Sequence, residues 1–456
     1  MNLLLVHNYF LAEDAVEQKV MRPYPPLGIL SVSAYLETKG MDHEVFDGTF
    51  SFPEKLNDFL LNFKPDYIGF YVNFLLRSKV LRTIEFVKTH LPDTVLILGG
   101  PDGKFHADNY LNNGADYIVI GEGEESFYQL INTLQKGESI KSIGGVAYKD
   151  QNEIVINPAR DHIKDLDLLP FPNRKKIQLD NYLKVWKNNH GYSSITVNTQ
   201  RGCPFTCKWC SHAVYGDTYR RRSPKNVVKE LKAISEAYNP DRFWFVDDVF
   251  TMSKKWLKEF NLELETENLS ISYECITRAD KLDDETINLL KDSGCNLVWI
   301  GAESGSQKVL DFMDRRVDAQ QVRDMIKLAK HKGIQTGTFI MLGYPGEKEE
   351  DIYKTIEHLK ECNPDFFTIN KAYPIKGTKL YESVEGIITE EKDWKTTPDN
   401  EINFKRTYRN RYYDFAIRKV YNEVWKQNFK HNGERIKSLK CEIKSLVSGV
   451  GMRLLK

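Results

Sequence analysis

The sequence predicts an α/β protein with two parallel-sheet domains: an N-terminal Rossmann-like, doubly wound sheet, then a partial (β/α)6 TIM barrel, then a short C-terminal helical region. Three observations carry this. Short apolar runs alternate with helical stretches twice, once before residue 140 and again after residue 190, and such alternation builds parallel sheets covered by helices. In both series the residues that follow the strands are glycine, polar or charged, on the side where open sheets and barrels hold ligands. Between the two series lies Leu169-Pro170-Phe171-Pro172, an extended passage because proline fixes its own φ and keeps the preceding residue out of the helical region.

In the first domain, residues 1–140, the candidate strands are 3–6, 44–46, 67–70, 95–98 and 117–120, with helices at 29–39, 79–90 and 105–113. Residues 141–190 read as a linker with a small hairpin about Lys149-Asp150-Gln151-Asn152. The second domain, 191–385, offers strands at 195–197, 243–246, 272–276, 296–300, 338–342 and 366–369, with a helix at 226–238 after the first. Those six βα units account for a partial barrel. Residues 386–456 form a helical, basic tail in which Ile436, Leu439, Ile443, Leu446, Val447 and Val450 recur at helical spacing between Arg435, Lys437, Lys440 and Lys444. An amphipathic stripe most often faces its own protein, so this helix is expected to pack on the barrel and expose its lysines. Docking on a membrane surface or an acidic partner is the alternative.

Composition narrows the class. With 41% hydrophobic and 28% charged residues over 456 positions, the chain is neither disordered nor too small for a core. Lys plus Arg and Asp plus Glu are both 64, so no global field points to nucleic acid. The run Leu3-Leu4-Leu5-Val6 has no basic region before it and is read as a first strand, not a signal peptide. No run approaches the roughly 18–20 apolar residues of a membrane span. All seven cysteines stand at or after position 203, which suits a reducing compartment and a cytoplasmic protein better than a disulfide framework.

The second series is organised around Arg201-Gly202-Cys203-Pro204-Phe205-Thr206-Cys207-Lys208-Trp209-Cys210. Three thiolates at C-x3-C-x2-C spacing in one short loop form a soft-ligand site. A four-iron cluster normally takes four protein thiolates, so three in one loop leave an iron open to another ligand. The alternatives are a zinc knuckle completed by His212, or three unconnected thiols. Structural zinc sites pair such a loop with a second distant pair, whereas Cys275, Cys295, Cys362 and Cys441 are scattered singly.

At these residues the chain resembles the radical S-adenosylmethionine superfamily, whose loop carries an aromatic residue before its last cysteine, here Trp209. The resemblance implies a 4Fe-4S cluster on Cys203, Cys207 and Cys210, with S-adenosylmethionine on the open iron and its reductive cleavage to a 5′-deoxyadenosyl radical. The later segments Gly301-Ala302-Glu303-Ser304-Gly305 and Met341-Leu342-Gly343-Tyr344-Pro345-Gly346 are similar to the S-adenosylmethionine-binding strand ends of that barrel. They imply Arg278 at the carboxylate, Glu303 and Ser304 near the ribose or amino group and Gly343 near the adenine, with Trp209 and Asp247 completing the set. A plain barrel-end ion pair between Arg278 and Glu303 is the structural alternative.

Within the first domain, Pro25-Pro26-Leu27-Gly28-Ile29-Leu30, Gly99-Gly100-Pro101 and Gly121-Glu122-Gly123-Glu124 resemble the N-terminal domain of cobalamin-dependent radical S-adenosylmethionine enzymes. This implies cobalamin across the strand ends, near Leu27, Asn73, Gly99, Gly100, Pro101, Gly121, Glu122 and Gly123. The D-x-H-x-x-G motif is absent, and His7, His43, His90 and His106 lie outside any such context, so no protein histidine is expected below cobalt. The activity implied is methylation of an unactivated carbon, or of phosphorus, in a natural-product-like or lipid-like small molecule, with an external electron donor such as flavodoxin or ferredoxin. The alternatives are a radical rearrangement or oxidative cyclisation, with or without cobalamin, and a non-catalytic cobalamin sensor.

Overall fold

The computed structural model describes residues 1–390 and 393–456; residues 391 and 392, inside the predicted tail, lie outside the described residues. The chain forms two units. The first holds residues 1–204 and 211–244 with a return segment that ends at Asp399. Its strands β1 (Leu3–His7), β2 (Glu44–Asp47), β3 (Tyr67–Tyr71), β4 (Val95–Gly99) and β5 (Tyr117–Val119) are parallel, followed by antiparallel β6 (Val146–Asp150) and β7 (Glu153–Ile156). The order is β2-β1-β3-β4-β5-β6-β7.

Side chains alternate across a strand, and here both faces are apolar. Leu4, Val6, Ile68, Phe70, Leu96 and Leu98 enter one core with Leu56, Leu60, Val80, Ile84 and Val87 of helices Pro53–Phe63 and Arg77–His90. Leu3, Leu5, Ile97 and Val119 enter the other with Ile29, Leu36, Phe127 and Leu130 of helices Leu27–Thr38 and Gly123–Gln135. A strand buried on both faces reads as a continuous apolar run, which is why these strands are legible. The hairpin expected in the linker extends this sheet: Val119 pairs with Val146, and Val146 and Ala147 each fill one of the two cores. The helix expected over 105–113 is two short ones, Pro101–Phe105 and Ala107–Asn112, broken at His106 with φ −131°.

Next come β8 (Ser194–Val197), β9 (Gln200–Arg201), β10 (Arg220–Arg221) and β11 (Arg242–Phe245), then β12 (Tyr273–Thr277), β13 (Cys295–Glu303), β14 (Gln335–Leu342) and β15 (Phe366–Lys371). The order β15-β14-β13-β12-β11-β8 is the predicted partial barrel sheet, while β9 and β10 form an antiparallel pair. In the second unit the pairs β12-β13, β13-β14 and β14-β15 are all parallel, so their carboxyl ends fall on one side.

The return segment belongs to the first unit through Arg77. Its Nη2 donates to Asp102 at 2.8 Å and Asp399 at 2.7 Å, its Nη1 donates to the Thr397 carbonyl at 3.1 Å, and its guanidinium lies 5.1 Å from the Trp394 ring. One buried cation thus pairs with two buried carboxylates.

The tail is an antiparallel pair of helices, Asn410–His431 and Arg435–Leu454. The expectation for its stripe is corrected: Cys441, Ser445, Ser448 and Met452 are buried, while Ile436, Leu439, Ile443, Leu446, Val447 and Val450 are exposed. Small residues allow close approach of the helices, as at Gly451, where an added Cβ would stand 2.5 Å from the Phe415 ring. Among the described residues no helix is long and apolar enough to cross a membrane.

Candidate active site

The cysteines lie on the connection between β9 and β10. Gly202 has φ +83°, and a Cβ there would stand 2.3 Å from the Thr218 carbonyl oxygen, so only glycine makes the turn that presents Cys203. In the second unit the loop is clamped from both sides. Lys208 donates its N–H to the Met313 carbonyl at 3.0 Å, its own carbonyl accepts from Leu380 N–H at 2.8 Å, and Thr206 Oγ1 donates to Asp314 at 2.6 Å. Two guanidinium groups face one thiol: Arg278 Nη1 and Arg315 Nη1 lie 3.6 and 3.8 Å from Cys207 Sγ. Its pKa falls to about 6, first through a hydrogen bond with Cys210 and, against the opposing effect of burial, through Arg315 and Arg278. A thiolate is what a soft metal takes.

Arg278 has a protein partner at each nitrogen. Nε donates to Asp280 at 2.8 Å, Nη1 reaches Cys207, and Nη2 donates to the Arg315 carbonyl at 2.8 Å, with the guanidinium 3.7 Å from the Phe205 ring. The cation that approaches Glu303 is Arg315, with Nε at 3.9 Å. Glu303 ends β13 at a register shift with φ +61°, a conformation a non-glycine residue holds only where the surroundings enforce it. Burial pushes its carboxyl up to about 7, against the pull of Arg315. Arg315 reaches this place because Gly301 has no side chain: a Cβ there would stand 2.5 Å from its Nη2, which donates to the Gly301 carbonyl at 3.1 Å.

Ser304 is fully buried, with Oγ accepting from the Ser306 N–H at 3.1 Å. Asp247 is buried just past β11. Trp209 packs against the apolar cluster of Val309, Met313 and Tyr344, with Arg315 5.9 Å from its ring. Gly343 donates its N–H to Glu347 Oε2 at 2.6 Å, and Arg406, from the tail, covers its open side. Burial raises the Glu347 carboxyl to about 8.

At the other predicted site, strand order reverses between β1 and β3, where open sheets form a ligand crevice. Two buried atoms at the end of β1, His7 Nδ1 and Asn8 Oδ1, have no hydrogen-bond partner among the described residues. Leu27 opens the helix Leu27–Thr38 half-buried, and Asn73 Oδ1 accepts from the Leu75 and Leu76 N–H groups, both at 3.0 Å. Space over Gly99 and Gly121 is open: an added Cβ would meet nothing closer than 3.8 Å at either. Gly100 differs, with φ +118° and the Val72 carbonyl oxygen 2.4 Å from where a Cβ would stand; Pro101 then starts the short helix Pro101–Phe105. Gly100→Ala is therefore expected to cost about 1–3 kcal/mol and to reduce retained cobalamin, measured by denaturant unfolding and by absorbance after gel filtration. Wild-type stability and retention would show that the turn tolerates a side chain.

Glu122 and Glu124 face Arg201. Arg201 Nη1 donates to Glu122 at 2.6 Å, and its Nη2 donates to Glu124. Glu122 also accepts from Arg220 Nη1 at 2.8 Å and from the Ile163 N–H at 2.9 Å. Although burial opposes it, these donors hold the Glu122 carboxyl below its usual range. The acidic side chains after β5 thus fix the residue two positions before Cys203, while Gly121 leaves backbone open. Sequence reasoning missed Arg201, Arg315, Arg406 and Glu347. Arg201 is flagged only by its place two residues before the first cysteine; the others carry no periodic or motif signal.

Comparison with known proteins agrees with this layout. The family model for the B12 binding domain matches residues 15–131, and that for the radical SAM superfamily matches residues 197–359. The chain thus carries a B12 binding domain and a radical SAM domain, the make-up of cobalamin-dependent radical SAM enzymes. It is 28% identical over 444 residues to an uncharacterized methyltransferase of Pyrococcus horikoshii, covering 93% of this chain and 94% of that one. It is 27% identical to the anaerobic magnesium-protoporphyrin IX monomethyl ester cyclase of Rubrivivax gelatinosus, over 80% of this chain and 66% of that enzyme. The fold is that of the radical S-adenosylmethionine methyltransferase TsrM from Kitasatospora setae, solved with cobalamin and a [4Fe-4S] cluster: the TM-score is 0.70 at 18% identity, covering 85% of this chain and 76% of that one.

The residues fit these groups. A lowered thiol flanked by two guanidiniums suits a cluster, and the Glu303 carboxylate, with no hydrogen bond to protein among the described residues, suits an amino or hydroxyl donor. The orphaned atoms after β1 and the open glycine backbone suit cobalamin.

Proposed function

We propose that this enzyme methylates an unactivated carbon, or phosphorus, of a natural-product-like or lipid-like small molecule, with electrons supplied by an external flavodoxin- or ferredoxin-like donor. The observation that carries the reading is the Arg201 ion-pair set, because it ties the entry to the cysteine loop to the glycine-rich strand ends that suit cobalamin. When bound, the cluster, S-adenosylmethionine and cobalamin supply the radical and the transferable methyl group. The chain's own residues do the rest. Cys203, Cys207 and Cys210 hold iron, and Arg278 and Arg315 stabilise the thiolate at Cys207. Glu303 receives a donor group of S-adenosylmethionine, and the Gly343 backbone, covered by Arg406, bounds the adenine side. Tyr71, Gly99 and Gly121 line the cobalamin side at three neighbouring strand ends.

The test is anaerobic incubation of the reduced, cluster-reconstituted enzyme with S-adenosylmethionine, with and without cobalamin. S-adenosylhomocysteine is expected only with cobalamin, alongside 5′-deoxyadenosine. Deoxyadenosine alone, unchanged by cobalamin, would replace methylation with a rearrangement or cyclisation.

A further inference from the structure

The last helix, Arg435–Leu454, has two faces and only one is covered. Cys441, Ser445, Ser448 and Met452 lie against helix Asn410–His431, tied by Ser445 Oγ donating to Glu423 at 2.5 Å and by Lys426 Nζ to Glu442 at 2.7 Å. Successive residues turn about 100° around a helix, so Ile436, Leu439, Ile443, Leu446, Val447, Val450 and Leu454 form a stripe on the opposite side. All seven are exposed, from 54% at Ile443 to 79% at Leu454. The stripe runs for about 27 Å at 1.5 Å per residue. Such a contiguous apolar face marks an interaction site.

Its flanks identify the partner. Lys437, Lys440 and Lys444 border one side, and Arg435 and Arg453 border the other, all exposed. Among the described residues Arg435, Lys440, Lys444 and Arg453 form no ion pair, and the single acid on the helix, Glu442, is taken by Lys426. The chain as a whole is neutral, so this local excess of unpaired cation is a property of the face. A second copy fits it badly. In a parallel helix pair through this seam Arg435 meets Lys440 of the other copy, and in an antiparallel pair the lysine-bearing flank meets itself; like charges at these positions disfavour pairing.

We propose that this helix lies in the surface of a bilayer containing anionic lipids, its stripe among the acyl chains and its lysines and arginines at the phosphates. An in-plane helix with an apolar face and a basic rim has this use, and each basic side chain near an anionic surface contributes a factor of about five in affinity. The inference rests on the tail alone and stands whether the reaction is methylation or cyclisation.

The test uses the full-length holoenzyme in co-sedimentation with vesicles. Binding is expected to equimolar phosphatidylglycerol and phosphatidylcholine, not to phosphatidylcholine alone, and is expected to fall with added salt. Leu439→Asp with Leu446→Asp should abolish it while leaving iron content and melting temperature unchanged, because both side chains are exposed. Lys440→Glu with Lys444→Glu should weaken it by about 25-fold or more. Absence of binding to the anionic vesicles, or binding that survives both pairs of substitutions, overturns the proposal. So does a dimer, seen by light scattering, that the same leucine substitutions dissociate.

Discussion

Replacing Cys203, Cys207 and Cys210 together with alanine is expected to abolish the iron–sulfur chromophore and all reductive cleavage of S-adenosylmethionine. The loop offers three thiols, and the thiol at Cys207 is already drawn toward the thiolate by Cys210, Arg315 and Arg278. None of the remaining cysteines can replace them. Cys362 is buried in helix Glu349–Cys362, and burial pushes its thiol up to about 12; Cys275 and Cys295 face each other inside the barrel at 4.0 Å. Iron analysis of the reconstituted protein should read about four per chain, the content of one such cluster, and near zero in the triple variant. Cys362→Ala should keep the wild-type value. About eight irons, or zinc in place of iron, would refute the single cluster.

Arg201→Met is expected to cost about 3–5 kcal/mol, the range for removing one partner of a buried ion pair. Arg201, Glu122 and Glu124 are all buried, and Arg201 is the only cation hydrogen-bonded to Glu124 among the described residues. Without it the Glu124 carboxylate is stranded in a dry site, and the start of the cysteine loop loses its anchor. Denaturant unfolding should show the loss, and cluster content after reconstitution should fall with it. Combining Arg201→Met with Glu124→Gln should recover much of the stability, because the uncompensated charge is gone. If Arg201→Met unfolds like wild type and the double variant gains nothing, the contact is not an energetic anchor.

Much of the fold and of the cluster loop is legible in the sequence. Strands such as Leu3–His7 and Val95–Gly99 are buried on both faces, so their apolar runs are continuous. Three cysteines within eight residues form a local pattern that spacing alone reveals. Long-range charge partners are not legible. Arg278 stands at the expected strand end, but its partners Cys207 and the Arg315 carbonyl are 71 and 37 residues away. The pairing of Glu303 with Arg315 depends on a missing side chain at Gly301. The hairpin at 146–156 reads as part of a linker because nothing in its sequence says which edge it will join.

By itself the sequence determined the two-sheet α/β architecture and the cysteine loop, because periodicity, turn residues and ligand spacing are local, while the cofactor class was implied by the resemblance those residues carry. Only the tertiary structure decided which carboxylates pair with Arg201, and which face of the last helix is left open. Helical spacing gives a stripe its existence but not its direction. The small residues Cys441, Ser445 and Ser448 permit closer packing against Asn410–His431 than the bulky stripe would, so the apolar side chains are turned outward.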